Sequence, residues 1–232
     1  FSDILTIPDS FGLGVEFIEK EGPVFRNPIS NSTDIKNLNH FDPESLDYVY
    51  KAVNNIKSSL PEEIPLIGFC GSPWTLAAYS IEGRSSKDFE KTLGFLESNQ
   101  KDVHDLLIKY TDACFLYLRK QVQSGADVIQ IFDSWANLLT KEDLIEFSFN
   151  YINSLISALK LDPITKNIPV IIFARNPKCN IEELINTSAD CISLFWSMND
   201  LNFEVAKNKV AIQGNLDPKI LLESDETIKR ET

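Results

Sequence analysis

Polar residues stand directly behind the apolar runs of this 232-residue chain, and their types set the chemistry open to it. Asp3 and Asp9 follow "FSDIL" or lie within it; Ser72, Trp74, Thr75 and Tyr79 follow "PLIGFCG". Asp133 and Ser134 end "DVIQIFDS", Arg175 and Asn176 follow "VIIFA", and Gln213, Asn215 and Asp217 close the last run. These are carboxylates, hydroxyls, amides and one guanidinium. They can bind anions, donate hydrogen bonds or stabilise a cation. They are not a metal set. The chain has 2 histidines, His40 in a polar loop and His104 in a helical pattern, where surface roles are expected. A Ser-His-Asp relay therefore has no histidine to use. The 4 cysteines form no C-x-x-C pair. Cys70, Cys114 and Cys191 read as small buried hydrophobes of a reducing cytosol, and Cys179 as an exposed loop residue.

Placing such residues at one mouth requires strands that end together. The apolar runs 1–5, 65–71, 127–134, 169–175, 190–196 and 210–215 are rich in Val, Ile and Phe. They are continuous rather than alternating, which predicts parallel strands covered on both faces. Between them lie helical patterns at 42–60, 86–98, 101–125 and 140–160, with shorter ones at 180–187, 199–207 and 217–223. Asp42–Pro43 marks one helix start, Thr140 with Asp143 another, and Gly125 a helix end. Residues 26–43 read as one long polar loop. Repeated strand–helix units predict a parallel α/β fold, either an open doubly wound sheet or a (β/α)8 barrel. No G-x-G-x-x-G or Walker glycine pattern follows a strand, which weakens the nucleotide-binding sheet. Active sites of α/β barrels lie at the C-terminal ends of the strands, where the polar residues collect.

Composition bounds the partners. At 43% hydrophobic and 24% charged, the chain is ordinary globular material. Its net charge of -12 opposes nucleic acid and anionic membranes, and anionic substrates too unless Arg or Lys reverses the field locally. No apolar stretch approaches the ~20 residues that span a bilayer.

The stretches "GFCGSPWTLAAYSIEG" (68–83), "FSDIL" (1–5) with "GLGVEF" (12–17), "DVIQIFDSWA" (127–136) and "QGNLDP" (213–218) resemble the uroporphyrinogen decarboxylase family. The likeness runs from Phe1 to about Leu222. It implies a (β/α)8 TIM barrel, a cytoplasmic location and a homodimer. It implies removal of carbon dioxide from the four acetate side chains of uroporphyrinogen III, giving coproporphyrinogen III for haem, with no metal and no organic cofactor. The family's first strand carries R-Q-A-G-R-Y upstream of "FSDIL", and its last carries a histidine downstream of "QGNLDP". Residues 1–232 are therefore expected to form a single, partial barrel domain.

The resemblance also assigns roles. Asp3 matches an aspartate that faces the pyrrole N–H groups of the macrocycle. Tyr79 and Ser134 match residues that bind substrate carboxylates or position the reacting ring, and Phe132 is expected to stack on the macrocycle; apart from the resemblance, Arg175 at a strand end, with Lys178 just after it, is expected to add positive potential. Each role has a plainer alternative. Asp3 can cap a turn, Tyr79 and Phe132 can be core, Ser134 can cap a helix, and Arg175 can serve an internal ion pair. Pro73 and Trp74 shape the turn after their strand. Two stretches depart from the family pattern: "FARNPKCN" (173–180), and Phe195, where an acidic residue is common. The alternatives in function are a related barrel methyltransferase, which would need zinc ligands, and a non-catalytic porphyrin-binding relative.

Overall fold

The computed structural model describes residues 3–198 and 203–232. A helical turn, α1 (Thr6–Pro8), runs into a π-helical segment, Asp9–Leu13, interrupted at Gly12. A small antiparallel hairpin follows, β1 (Val15–Ile18) with β2 (Gly22–Phe25), and then α2 (Ser32–Lys36). The 3-10 turn Pro43–Leu46, capped by Asp42, leads into α3 (Asp47–Ser59). The strand–helix alternation then begins: β3 (Ile67–Gly71), α4 (Pro73–Glu82), α5 (Glu90–Ser98), α6 (Gln100–Gln123) and β4 (Val128–Asp133). It continues through α7 (Lys141–Asp143), a π-helical segment Leu144–Phe149, α8 (Asn150–Leu161) and β5 (Val170–Ala174). Last come α9 (Ile181–Ile185), β6 (Cys191–Ser193), β7 (Ala211–Gln213) and α10 (Asp225–Glu231).

Strands β3 to β7 form one parallel sheet in chain order, β3-β4-β5-β6-β7. A doubly wound sheet would reverse its order at a switch point. Monotonic order with helical crossovers is the wall of a barrel, which decides between the two architectures that periodicity left open. The register puts Cys70, Ile131 and Ile172 on one face, buried against the helices. Phe69, Gln130 and Ile171 occupy the opposite, inward face, followed one step on by Phe132 and Phe173. The longest helix, α6, lays a fully buried stripe that includes Leu106, Tyr110, Cys114 and Leu118 under the sheet, at the spacing of one helix face.

Several expectations are corrected. Residues 1–5 read as a strand; Phe1 and Ser2 lie outside the described residues, and Asp3–Leu5 form a turn instead. The Asp3 side chain accepts the Leu5 N–H at 2.8 Å, a local bond that competes with strand pairing. The stretch after β3 is the ten-residue helix α4 rather than a bare turn, with Ser72 as its cap and Pro73 at its first position. The loop 26–43 contains α2, fixed by a capping box between Asn31 and Asp34. The single helix expected at 140–160 is interrupted by the π segment 144–149. Within 199–207, a 3-10 turn occupies Phe203–Val205, while 199–202 lie outside the described residues; 217–223 is likewise 3-10, at Pro218–Leu222.

Candidate active site

The C-terminal ends of β3, β4 and β5 converge with the Asp3 turn. Gly71 ends β3, and a Cβ placed there would meet Leu76 Cδ2 at 2.7 Å and Ile4 Cβ at 3.4 Å. A glycine at 71 therefore lets the turn that bears Asp3 press against the end of the sheet. Asp3 is half-buried. One of its oxygens is used in the turn, and no cation lies within ion-pair distance among the described residues. A hollow of about 170 Å³ opens beside it, shared with Asp9, Tyr48 and Phe17.

Tyr79 is the residue around which the rest is arranged. It projects from α4 and packs its ring edge-on against Phe89 at 5.8 Å and Trp135 at 5.6 Å. Burial raises the phenol above its usual range, the carboxylate of Asp3 adds to the rise, and Trp135 and the Arg175 guanidinium work against it. The phenol is thus held neutral within electrostatic reach of both an anion and a cation. The Trp135 indole N–H is buried with no acceptor in good geometry. Arg175 is exposed and lies 5.5 Å over the Trp135 ring, a cation–π contact that steadies the guanidinium while leaving its donors free. Among the described residues it has no carboxylate partner, so the internal ion pair is not found.

The inward face adds an aromatic wall. Phe132 stands edge to face with Phe69 at 6.0 Å and Phe173 at 6.1 Å, and Phe173 continues to Phe195 at 6.4 Å. Phe132 is half-buried, not sealed in the core, and Phe195 extends this wall at the place where the family pattern differs. Ser134 lies in the turn after β4, half-buried. The 3-10 turn Ala136–Leu138 that follows has no side-chain cap, so the cap role for Ser134 is not found.

Some predicted mouth residues prove to serve the framework. Asp133 points to the helix side and is 1% exposed. Ser72 and Thr75 point to the same place, donating to it at 2.8 and 3.0 Å. Asn215 donates to the carbonyls of Trp196 and Met198, and Asp217 caps its 3-10 turn. Cys179 is not an exposed loop residue: it is largely covered, and burial pushes its thiol up to about 12. His104 lies at the surface of its helix, partly exposed, and is tethered there. It bonds Tyr151 at 2.6 Å and Glu146 at 3.2 Å and stacks on Phe147, beside an outer groove of about 740 Å³ that holds none of the site residues. Among the described residues no three His, Cys, Asp or Glu converge as a metal site would require.

A family model described as uroporphyrinogen decarboxylase (URO-D) matches residues 1–232. The chain belongs to the uroporphyrinogen decarboxylase family. Proteins named uroporphyrinogen decarboxylase from Vesicomyosocius okutanii, Acinetobacter baylyi and Vibrio cholerae are 43%, 44% and 42% identical to it. The alignments cover 100%, 99% and 100% of this chain and 66%, 65% and 66% of those relatives. The chain thus spans about two thirds of their length. The family fold is the TIM barrel, and β3 to β7 supply part of its wall. No helix of the described residues is long and apolar enough to cross a membrane.

Of the residues expected at the site, Asp3 and Arg175 both act on the Tyr79 phenol, and Phe132 belongs to the aromatic wall. Sequence reading missed Trp135, on which Arg175 and Tyr79 both rest, and missed Phe69 and Phe173. The signal was present. Each Phe falls two residues before the end of its apolar run, 65–71, 127–134 or 169–175, and period-two counting from those ends puts all of them on one face.

Proposed function

We propose that the protein of which this chain is part decarboxylates the four acetate side chains of uroporphyrinogen III to give coproporphyrinogen III. The observation that carries this reading is the surround of Tyr79. An anion, Asp3, and a cation without a carboxylate partner among the described residues, Arg175, both act on the phenol, and four phenylalanine rings form a wall at the ends of the same sheet. A flat, apolar macrocycle fringed with carboxylates is complementary to that combination.

Loss of carbon dioxide from an acetate on a pyrrole needs an electron sink. Protonation of the adjacent pyrrole ring carbon makes the ring cationic. The C–C bond to the carboxylate then breaks, its electron pair flows into the ring, a second proton converts the exocyclic methylene to a methyl group, and the proton on the ring carbon leaves to restore the pyrrole. Asp3 is suited to accept charge-assisted hydrogen bonds from the pyrrole N–H groups and to favour the cationic ring. Its single turn bond leaves acceptor capacity for this. Tyr79 and Ser134 would donate to carboxylates or hold the reacting ring, Phe132 would stack on the macrocycle, and Arg175 would take a carboxylate through two parallel N–H donors. The scheme calls on no cofactor. Residues 1–232 are read as a single, partial barrel domain of a cytoplasmic homodimer. The acidic chain offers nothing to nucleic acid. The test is anaerobic incubation of the full-length protein with uroporphyrinogen III, followed by chromatography of the oxidised porphyrins. Ordered appearance of the seven-, six-, five- and four-carboxylate species is expected. Unchanged octacarboxylate would overturn the proposal.

A further inference from the structure

We propose that Asp133 is a positioning residue for this reaction: its buried carboxylate ties the helix that carries Tyr79 to the turn that carries Ser134. The inference rests on the functional reading above for the roles of Tyr79 and Ser134.

Asp133 ends β4 with its side chain on the helix side of the sheet. Oδ1 accepts from Ser72 Oγ at 2.8 Å and Thr75 Oγ1 at 3.0 Å, and Oδ2 accepts from Ser148 Oγ at 2.5 Å. The two hydroxyls of the α4 N-terminus are each used twice. Ser72 Oγ also accepts the Thr75 backbone N–H at 3.0 Å, and Thr75 Oγ1 accepts the Trp135 backbone N–H at 3.3 Å. A closed circuit therefore runs from Asp133 through Thr75 to Trp135, with Ser134 held between its ends. Thr75 and Tyr79 are four residues apart and share a face of α4, so fixing one fixes the other. Backbone bonds complete the link: the Ser72 N–H donates to the Phe132 carbonyl at 2.8 Å, and the Arg175 N–H donates to the Asp133 carbonyl at 3.0 Å.

Core filling does not require this arrangement. Burial pushes the Asp133 carboxyl above its usual range, opposed by its three hydroxyl donors, and no cation offsets the burial among the described residues. Apolar side chains in place of the whole cluster, carboxylate and hydroxyls together, would fill the space at lower cost. What the carboxylate adds is direction: three short, angle-dependent bonds that hold α4, the β4 turn and the π segment in one register. Catalytic groups need placement to within about 0.5 Å, and bonds of this kind supply it.

The experiment uses the full-length protein with Asp133→Asn, which keeps the shape and one acceptor oxygen. We expect a cooperative melt close to wild type, kcat on uroporphyrinogen III lower by about tenfold or more, and KM within about threefold. Combined with Tyr79→Phe, the loss should barely exceed that of the worse single variant, because both disturb the same placed hydroxyl. A kcat within threefold of wild type, or losses that multiply, would overturn the inference. If Asp133→Asn does not fold, Ser148→Ala removes a single donor. A fall in kcat of about threefold that does not multiply with Tyr79→Phe is expected there, and unchanged kcat or multiplied losses would count against us. A second readout does not depend on turnover. In protein labelled with fluorotyrosine, the fluorine resonance that Tyr79→Phe abolishes should move in Asp133→Asn, and a resonance that stays in place overturns the proposal. If wild-type protein is inert to uroporphyrinogen, the functional reading falls, and this resonance still decides whether Asp133 positions Tyr79.

Discussion

The two ends of the parallel sheet treat charge in opposite ways. At the N-terminal end, Asp127 before β4 takes the Lys57 ammonium at 2.7 Å and the Leu66 N–H at 2.7 Å. Asp190 before β6 takes Lys160 at 2.6 Å and the Val170 N–H at 2.7 Å, and Asp162 before β5 takes Arg119 at 3.0 Å with two backbone N–H groups. Every one of these carboxylates has a cation and a donor. At the C-terminal end, Asp3 and Arg175 have no ion partner among the described residues, and the Trp135 indole N–H has no acceptor in good geometry. Charges closed on themselves hold strands and helices in register. Charges left open beside apolar rings are unspent until a ligand of matching charge arrives. Asp133 stands between the two cases, being at the open end yet satisfied, by hydroxyls rather than by a cation.

The largest effect should come from Asp133→Ala. It strands three buried hydroxyls and leaves a void, so we expect a loss of about 3 kcal/mol in the urea-unfolding free energy of the full-length protein. A loss under about 1 kcal/mol would mean that the open end does not depend on this residue for its framework. Next is Asp3→Asn. The amide oxygen can keep the Leu5 bond, so the thermal midpoint should hold while turnover drops by more than tenfold, about 1.4 kcal/mol of barrier. Activity within about threefold of wild type would assign Asp3 to the turn alone.

Arg175→Ala follows. KM for the octacarboxylate should rise by up to about tenfold, with a smaller effect on affinity for the tetracarboxylate product, and the melting temperature should not move. A destabilised variant with unchanged KM would place Arg175 among the closed charges. The smallest effect belongs to the other end. The Leu66 N–H, first, and Lys57, second, hold the Asp127 carboxyl below its usual range. Its contribution to stability is therefore complete above the ordinary carboxylate value and is lost as pH falls through the lowered folded value. Asp127→Asn should flatten the acid limb of the stability curve below about pH 4, shift the neutral melting temperature by no more than about 2 °C, and leave kcat alone. A changed kcat would break the separation between the two ends.

Much of the fold was legible because parallel strands and amphipathic helices are written in local periodicity. The runs at 65–71, 127–134, 169–175, 190–196 and 210–215 all contain strands of the sheet. The run at 1–5 misled because its described part makes an Asx-type turn through Asp3, and whether an apolar run pairs depends on neighbours that are distant in sequence. The same limit applied to the site. Asp3, Tyr79, Ser134 and Phe132 could be named from motifs, and Arg175 from its place behind an apolar run. Which side of the sheet Asp133 faces depends on the register of β4, and a shift of one residue would send its carboxylate to the mouth. The support that Trp135 gives to both Tyr79 and Arg175 was not readable either, since it joins α4, the β4 turn and the end of β5, which lie about 40 to 100 residues apart in the chain.

By itself, then, the sequence determined the parallel α/β class, the family and most of the chemically able residues, because strand period, helix caps and motif composition are local properties of the chain. Only the tertiary structure decided which of those residues are open to a ligand and which are consumed in holding the frame. That decision rests on burial, register and hydrogen-bond partners, and each of these is a relation between segments rather than a property of any one of them.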